Sequence, residues 1–471
     1  MAPTKDFKKS AYFIGIGGIG MSAFARYLHA KGWRVSGSDR QKSSLTDELN
    51  KEGIRVKIGH DKAPFGPKTA RGGAFSQIIY NRAIRTNNPE FLAAAAAGVP
   101  LVPYAQALGV VTQEYNTIAI TGSHGKSTTT ALVAVMMMHA KLDPTIFIGT
   151  KLADLDGKNV RIGRGQGKKK YLVLEADDYA AAFLNYSPSI AIVTNIDREH
   201  MDFYKTFANV KRAFLGFLAR TRPGGTLILN WDDRPLRSLR TPIEKIADRQ
   251  KLKVIWYSAS SAASAKKVKK NLTLPGTHNL SNALAVYALG RLIGISEKNI
   301  LDALHSYQGA WRRMEYRGTA KIGDVSLKVF DDYAHHPAEI KATVAAFREK
   351  FPGVPLLIAF QPHQAKRLEA LFKEFTAAFN GADAVWIAPI YKVVGRDEPT
   401  KYDSAALVRA MLRGATRRRI FYIEDLAHLP RAVRELFATS LFEKPKTAVL
   451  VMMGAGDIVD YTKAFSLKNK K

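Results

Sequence analysis

The seven residues Thr121-Gly122-Ser123-His124-Gly125-Lys126-Ser127 have the types and spacing needed to hold the phosphates of a nucleotide. The apolar run from Asn116 to Thr121 predicts a strand before them, and Thr128 to His139 predicts a helix after them. That is the strand, loop, helix setting a phosphate loop requires. In it, backbone N–H groups and the positive helix N-terminus face the anion. Lys126 is placed to reach the β- and γ-phosphates, and the Ser127 hydroxyl to ligate Mg²⁺. The full Walker pattern asks for a glycine where this chain has Ile120, so the match is partial. A Gly-x-x-Gly-Lys-Ser can also be a structural turn, but the flanking pattern favours nucleotide binding.

Further chemistry-capable residues recur where strands are predicted to end. Strand Tyr171 to Leu174 runs into Glu175-Ala176-Asp177-Asp178, and strand Ile190 to Thr194 into Asn195 through His200. In a doubly wound sheet the carboxyl ends of strands form the ligand crevice, so Glu175 and His200 can converge on Lys126. Carboxylate, hydroxyl and imidazole around phosphate-bound magnesium is chemically reasonable, although acidic residues also start loops and cap helices. A third group follows strand Val325 to Phe330, in Asp331 through Pro337. It continues after strand Leu356 to Phe360, in Gln361-Pro362-His363, and after strand Ala448 to Met452, in Gly454 through Asp457. The paired His335 and His336 lack further ligands in sequence, which argues against a dedicated zinc site. At the other end of the chain, Gly15-Ile16-Gly17-Gly18-Ile19-Gly20 lies between a predicted strand from Ala11 and a helix from Met21 to Ala30. The next strand, Arg34 to Ser38, ends in Asp39. This is a βαβ opening of the dinucleotide-binding type, open at this level to NAD, a flavin or another diphosphate.

The elements that position these residues fall into three α/β segments, and the chain's 471 residues leave room for two to four domains. Hydrophobic residues make up 46% of the chain, which excludes wholesale disorder, and the absence of cysteine removes disulfides, thiolate zinc sites and cysteine nucleophiles. The most apolar helix, Ala131 to Met138, is far shorter than the roughly 20 residues of a membrane span. With no signal-like start at Met1 to Ser10, a cytoplasmic protein is expected. The formal charge of +30 raises nucleic acid as a partner. The excess is nonetheless spread over all three segments. Its short clusters at Lys168 to Lys170, Lys266 to Lys270, Arg417 to Arg419 and Lys468 to Lys471 lack interleaved aromatics. They are expected in loops or at the terminus, as solvated surface with no specific nucleic acid and no membrane.

Taken in order, the motifs resemble the Mur ligases of peptidoglycan synthesis over nearly the whole chain. They are Gly15 to Met21, Thr121 to Thr129, Glu175-Ala176-Asp177, Thr194 to Asp202, Gly276-Thr277-His278-Asn279 with Asn282, Arg312 to Glu315, Asp331 to Pro337 and Phe360 to His363. Within the family the likeness is greatest to the branch that joins L-alanine to UDP-N-acetylmuramate, and the shorter Thr-Gly-x-x-Gly-Lys pattern of that family accommodates Ile120. The resemblance implies a Rossmann-like UDP-sugar domain over residues 1–108, a central P-loop ATPase-like parallel-sheet domain over 109–312, and a C-terminal Rossmann-like α/β domain over 313–471 that binds the amino acid.

The family's reaction is ATP-dependent: the lactyl carboxylate takes the γ-phosphoryl group, and the amine of alanine then attacks the acyl phosphate. By resemblance, Lys126, His200, His335 and Arg367 are the catalytic set. Gly122, Ser123, His124, Gly125, Lys126, Ser127 and Thr128 hold ATP phosphates, with His278, Asn279 and Asn282 on the adenine side and Arg313 and Asp332 engaging the nucleotide. Gly15, Gly17, Gly18, Gly20 and Met21, with Asp39 and His60, line the UDP-sugar site, and Ser127, Glu175 and His200 are the Mg²⁺ ligands. His335 and Arg367 line the amino-acid pocket, where an arginine fork suits a carboxylate.

Three departures stand out. Asp178-Tyr179-Ala180 replaces the family's Glu-Ser-Asp, Asn81-Arg82 replaces serines before Ala83, and Gln364 replaces an arginine after His363. The last opens the identity of the amino acid, so a ligase recycling the murein tripeptide is the alternative. Against a later-acting member, the helix Phe207 to Leu218 has no lysine where such members carry their modified one, Lys211 lying about a turn early. From other classes, a nucleic-acid-binding ATPase or a nicotinamide oxidoreductase leaves Glu175, His200 and the third group of motifs unexplained. The expected assembly is a monomer or homodimer.

Overall fold

The computed structural model describes residues 9–60, 75–167, 170–260, 262–392, 400–413, 419–439 and 445–468. Of the charge clusters, Lys168, Lys169, Arg417, Arg418, Lys470 and Lys471 lie outside these residues. The chain forms two compact units, one of residues 1–271 with 281–307, the other of 272–280 with 308–471. Among the described residues no helix is long and apolar enough to cross a membrane.

The first unit holds two sheets. The N-terminal one consists of β1 (Ser10–Ile14), β2 (Arg34–Asp39), β3 (Arg55–Ile58), β4 (Gln77–Tyr80) and β5 (Leu101–Pro103), all parallel in the order β3-β2-β1-β4-β5. The second contains β6 (Asn116–Thr121), β7 (Thr145–Leu152), β8 (Lys158–Arg161), β9 (Tyr171–Glu175), β10 (Ile190–Val193), β11 (Thr226–Asn230) and β12 (Lys253–Tyr257) in the order β12-β11-β10-β6-β9-β7-β8. Among the described residues of this sheet, β7 and β8 form the one antiparallel pair. Parallel strands covered on both faces read as continuous apolar runs, as β6 and β9 do. Both glycine loops leave a strand from which the later strands go to opposite sides of the sheet, β1 with β2 on one side and β4 on the other, β6 with β9 on one side and β10 on the other. This is the switch point at which open α/β sheets bind ligands.

The two sheets share one core. The helix Ile19–Ala30 brings Phe24 and Tyr27 against Phe147 of β7, with ring centroids 6.3 and 5.4 Å apart. Beside this contact Arg26, 6% exposed, meets Glu48 at 3.0 Å, Glu52 at 2.7 Å and the Asn159 side-chain oxygen at 3.1 Å. Asn159 in turn donates to the Ile19 carbonyl. A buried arginine with three acceptors has its charge compensated, whereas an unpaired one would be costly.

The second unit holds β13 (Glu315–Ile322), β14 (Val325–Asp332), β15 (Leu356–Phe360), β16 (Ala384–Ile387), β17 (Arg419–Tyr422) and β18 (Thr447–Met453), ordered β13-β14-β18-β15-β16-β17. It is parallel except for the β13/β14 pair. Apolar residues pack on both of its faces, Phe347, Phe360 and Phe379 on one, Leu327, Trp386 and Leu450 on the other.

Element positions expected from the sequence hold to within one or two residues, and Asn116–Thr121, Leu356–Phe360 and the helix Phe207–Leu218 coincide with the expectation. Two expectations fail, the smaller at Arg419, which opens β17 and does not lie in a loop. Lys266 to Lys270 lie in the helix Ala262–Asn271 and not in a loop. Alanine and lysine are good helix formers, and Val268, fully buried, anchors the helix while the lysines face solvent.

Candidate active site

The phosphate loop is built by two strand ends. After β6 the chain turns at Gly122, φ +143°, where a β-carbon would meet the Thr194 hydroxyl at 2.0 Å. It turns again at Gly125, φ +79°, where a β-carbon would meet the Asn282 oxygen at 2.6 Å. Both positions therefore need glycine for conformation and for space. The loop after β10 then fastens it. The Asn195 side chain accepts from His124 N at 2.8 Å and donates to the His124 carbonyl at 2.9 Å, to which the Thr194 hydroxyl also donates at 2.6 Å. Ser123 Oγ accepts from Asp197 N at 2.7 Å, and the His124 ring lies 3.0 Å from the Asp197 carboxylate. Asp233, whose carboxyl burial pushes up to about 6, accepts from Ile196 N and ties down the second loop. The amides of the phosphate loop are thus set before any nucleotide arrives.

Lys126 opens the helix Lys126–His139 and points into the crevice. Its ammonium donates to the Gly122 and Ser123 carbonyls and to Asp178 Oδ1, 2.8 Å away. Burial alone would lower its pKa, but the carboxylates of Asp178, Asp177 and Glu175 outweigh that and raise it, so the amine stays charged. Ser127 donates to Glu175 Oε1 at 2.8 Å, and Glu175 Oε2 accepts from Gly149 N at 2.7 Å. His200, held at φ +54°, lies 3.9 Å from Asp178 Oδ1, with Tyr179 packed edge-on to its ring. Donor atoms of Asp177, Asp178 and His200 lie within 4.8 Å of one another.

Lys126, Ser127, Glu175 and His200 thus come together as expected. The sequence reading did not single out Asp178, which takes the central place with its side chain fully buried. The signal was the acidic pair after β9, which does not say which of the two points inward. Asp178 does so, and Asp177 stays exposed. Thr128 is buried at the helix start.

Around the first glycine loop, Asp39 accepts from Gly17 N at 2.8 Å, fastening the loop after β1 to the end of β2. His60 packs on Glu90 and Ser38, each at 3.1 Å from its Nδ1. Glu90 is fully buried and also accepts from the Tyr12 hydroxyl at 3.0 Å. The Met21 side chain is core, leaving only its backbone for a ligand. Gly15, Gly17, Gly18 and Gly20 surround Asn81, Asp39 and the Tyr104 hydroxyl.

In the second unit, Asp332 is buried and accepts from Met314 N, Ala334 N and the Thr343 hydroxyl. Burial raises its carboxyl against the pull of Arg313. Its geometry holds the turn that carries Arg313, whose guanidinium lies 5.1 Å over the Tyr333 ring. His278 is neutral at physiological pH, since burial and the nearby Arg313 lower its pKa to about 4. Asn279 spends its amide on the Pro275 carbonyl at 2.7 Å. His335 packs between the Tyr333 and His363 rings, and His363 stacks on Tyr391 at 5.7 Å. Arg367 donates to the His363 carbonyl at 3.3 Å, so His335 and Arg367 flank one histidine. His278, Asn279, Arg313, Asp332, His335 and Arg367 belong to this unit, while Asn282 belongs to the first, beside Gly125.

Three family models match in succession: "Mur ligase family, catalytic domain" over residues 10–116, "Mur ligase middle domain" over 120–290 and "Mur ligase, glutamate ligase domain" over 312–456. A UDP-N-acetylmuramate–L-alanine ligase of Bordetella petrii is 37% identical over 470 residues, 95% of this chain and 96% of that protein. The chain belongs to the Mur ligase family. A Chromobacterium violaceum protein of the same name is also 37% identical, with 96% of each chain covered. In fold, this Mur ligase resembles the crystal structure of the UDP-N-acetylmuramate-alanine ligase of Thermotoga maritima, with TM-score 0.74, 24% identity and coverage of 97% and 98%. It also resembles a murein peptide ligase of Psychrobacter arcticus, with TM-score 0.65, 20% identity and coverage of 98% and 100%. As a Mur ligase the chain is an ATP-dependent enzyme that forms peptide bonds.

Proposed function

We propose that this Mur ligase joins L-alanine to the lactyl carboxylate of UDP-N-acetylmuramate, using ATP and passing through an acyl phosphate. The observation that carries the reading is Lys126, charged, only 16% exposed at a preset phosphate loop, paired with Asp178, which lies beside His200, and under the influence of Glu175. The names of the relatives that match over the whole chain supply the substrates.

Phosphoryl transfer asks little covalent work of the protein and much positioning and charge neutralisation. The phosphate loop of Gly122 through Ser127 orients the triphosphate, and Lys126 leaves Asp178 for the β- and γ-phosphates. A lactyl carboxylate oxygen then bonds to the γ-phosphorus as its bond to ADP breaks. Next the alanine amine attacks the acyl carbonyl, and inorganic phosphate leaves with the C–O bond electrons and takes up the proton that the amine gives up. The second-unit residues His335 and Arg367 are the proposed amino-acid contacts, with Arg367 pairing the carboxylate. His278, Asn279, Asn282, Arg313 and Asp332 are proposed on the nucleotide, and Gly15 to Gly20, Asp39 and His60 on the UDP-sugar.

The residues present fit Mg²⁺. Ser127 and Glu175 are hard oxygen donors beside Lys126, and Asp178 Oδ2 is buried with no hydrogen-bond partner among the described residues. Ser127, Glu175 and His200 would hold the ion, with Asp178 close by, and it would supply charge neutralisation at the phosphates. The reading also carries a three-part division of the chain near residues 108 and 312, cytoplasmic action and a monomer or homodimer.

The test is phosphate release from ATP with UDP-N-acetylmuramate and each amino acid, or the murein tripeptide, in turn. Release that requires both the muramate nucleotide and L-alanine is expected. Turnover independent of the muramate nucleotide sinks the reading, and preference for the tripeptide reassigns the substrate.

A further inference from the structure

Asn81 and Arg82, directly after β4, reach the first glycine loop on one side and the turn after His200 on the other. Asn81 spends its side-chain oxygen locally, accepting from Ala83 N at 2.9 Å. That bond assigns the amide nitrogen to the other side, against the glycine loop. There a β-carbon on Gly15 would meet it at 3.2 Å and one on Gly18 at 3.7 Å. A donor therefore faces the place where the helix Ile19–Ala30 starts with no side-chain cap and no acidic residue in its first turn.

Arg82 is exposed, and among the described residues no carboxylate forms an ion pair with it. Its guanidinium rests 5.8 Å over the ring of Phe203. Phe203 belongs to the helical turn Met201–Tyr204 that follows His200, and the Tyr204 hydroxyl donates to the Asp178 carbonyl. Arg82 thus hangs beside the turn that carries His200. Tyr104 spans the same gap from another side. A β-carbon on Gly20 would meet its hydroxyl at 2.8 Å, and burial together with Asp177 and Glu175 raises its phenol. Glycine loop and acidic cluster are therefore near neighbours, and an anionic ligand extending from one toward the other passes Asn81 and Arg82.

We propose that Asn81 and Arg82 form a clamp for the diphosphate of the nucleotide-sugar substrate, an assignment that rests on the glycine loop being the UDP-sugar site. Asn81 gives a neutral N–H donor fixed by its own turn. Arg82 gives a guanidinium that swings from Phe203 to the phosphates. An exposed cation–π contact favours the resting position by about fivefold at most, while a bidentate guanidinium–phosphate pair is stronger, so the exchange runs toward the anion.

The experiment titrates UDP and UMP into the full-length protein without ATP, by calorimetry, for wild type, Asn81→Ala, Arg82→Ala, Arg82→Lys and Phe203→Leu. Wild type should prefer UDP to UMP. Arg82→Ala and Asn81→Ala should each weaken UDP by about tenfold or more and reduce that preference. Arg82→Lys should recover part of the loss, and Phe203→Leu should bind UDP as wild type does. In turnover the KM for the nucleotide sugar should rise with the KM for ATP unchanged. UDP affinity within twofold of wild type in both alanine variants overturns the clamp while the site stands. Equal losses in Phe203→Leu and Arg82→Ala also overturn it, by showing that the arginine only docks the helical turn. A wild type that binds no UDP removes the site, and the clamp with it.

Discussion

Replacing Asp178 by asparagine keeps the shape of the Lys126 partner and removes its charge. The pair is 2.8 Å long, with side chains 16% and 0% exposed, so little water is present to screen the change. Removing one member of a buried ion pair costs about 3–5 kcal/mol, because the other charge is left uncompensated. Here Asp177 and Glu175 still act on Lys126, and the carbonyls of Gly122 and Ser123 still accept from it. The loss is therefore reduced to about 2 kcal/mol, or roughly 4–8 °C in Tm at the scale of a 150–250-residue domain. Lys126→Met should cost more than Asp178→Asn, since it strands a carboxylate with no exposure. In the double variant neither charge remains, and it should be more stable than the sum of the two losses by about 1–2 kcal/mol. Thermal unfolding of the four proteins without nucleotide measures this cycle. Strictly additive losses, or an Asp178→Asn protein as stable as wild type, refute the account of a buried, mutually compensating pair.

Two further outcomes follow from local geometry. Gly125→Ala forces a left-handed residue against the Asn282 oxygen, at about 1–2 kcal/mol for the backbone alone, and should abolish ATP binding in equilibrium titration while the far-UV spectrum is retained. His278 has a folded pKa of about 4 against 6.5 for the free side chain. The unfolded chain therefore binds the extra proton first. Stability from this group is complete above about pH 6.5 and is lost as pH falls toward 4, by about 3 kcal/mol in all. Denaturant unfolding at several pH values should show this slope in wild type and lack it in His278→Asn. An unchanged slope in the variant would remove the attribution.

The two glycine loops were legible because their information is local: strand, turn and helix start lie within about twenty residues, and the glycines are demanded by backbone angles. The strands were legible for the same reason, as short apolar runs ending in polar residues. Partnerships across the chain were not. Lys126 and Asp178 are separated by 52 positions, and which of two adjacent aspartates turns inward depends on the sheet that carries them. Glu90 gave no signal at all: its burial is explained by Tyr12, Ser38 and His60, which reach it from β1, β2 and the segment after β3. In Ala262–Asn271 the run of lysines hides the helix, which the intervening alanines and the buried Val268 carry.

The joint around Arg26 has a consequence for which molecules can react. Because Arg26, Glu48, Glu52 and Asn159 lock the helix after the first glycine loop to the sheet that carries Lys126, the separation of the two loops acts as a gauge. On the proposed seating of the nucleotide sugar, a molecule anchored by its phosphates at Gly15 to Gly20 presents its far end to Lys126 only if it has the matching length. Truncated nucleotide sugars would be rejected by reach, before any contact with their reactive group is made.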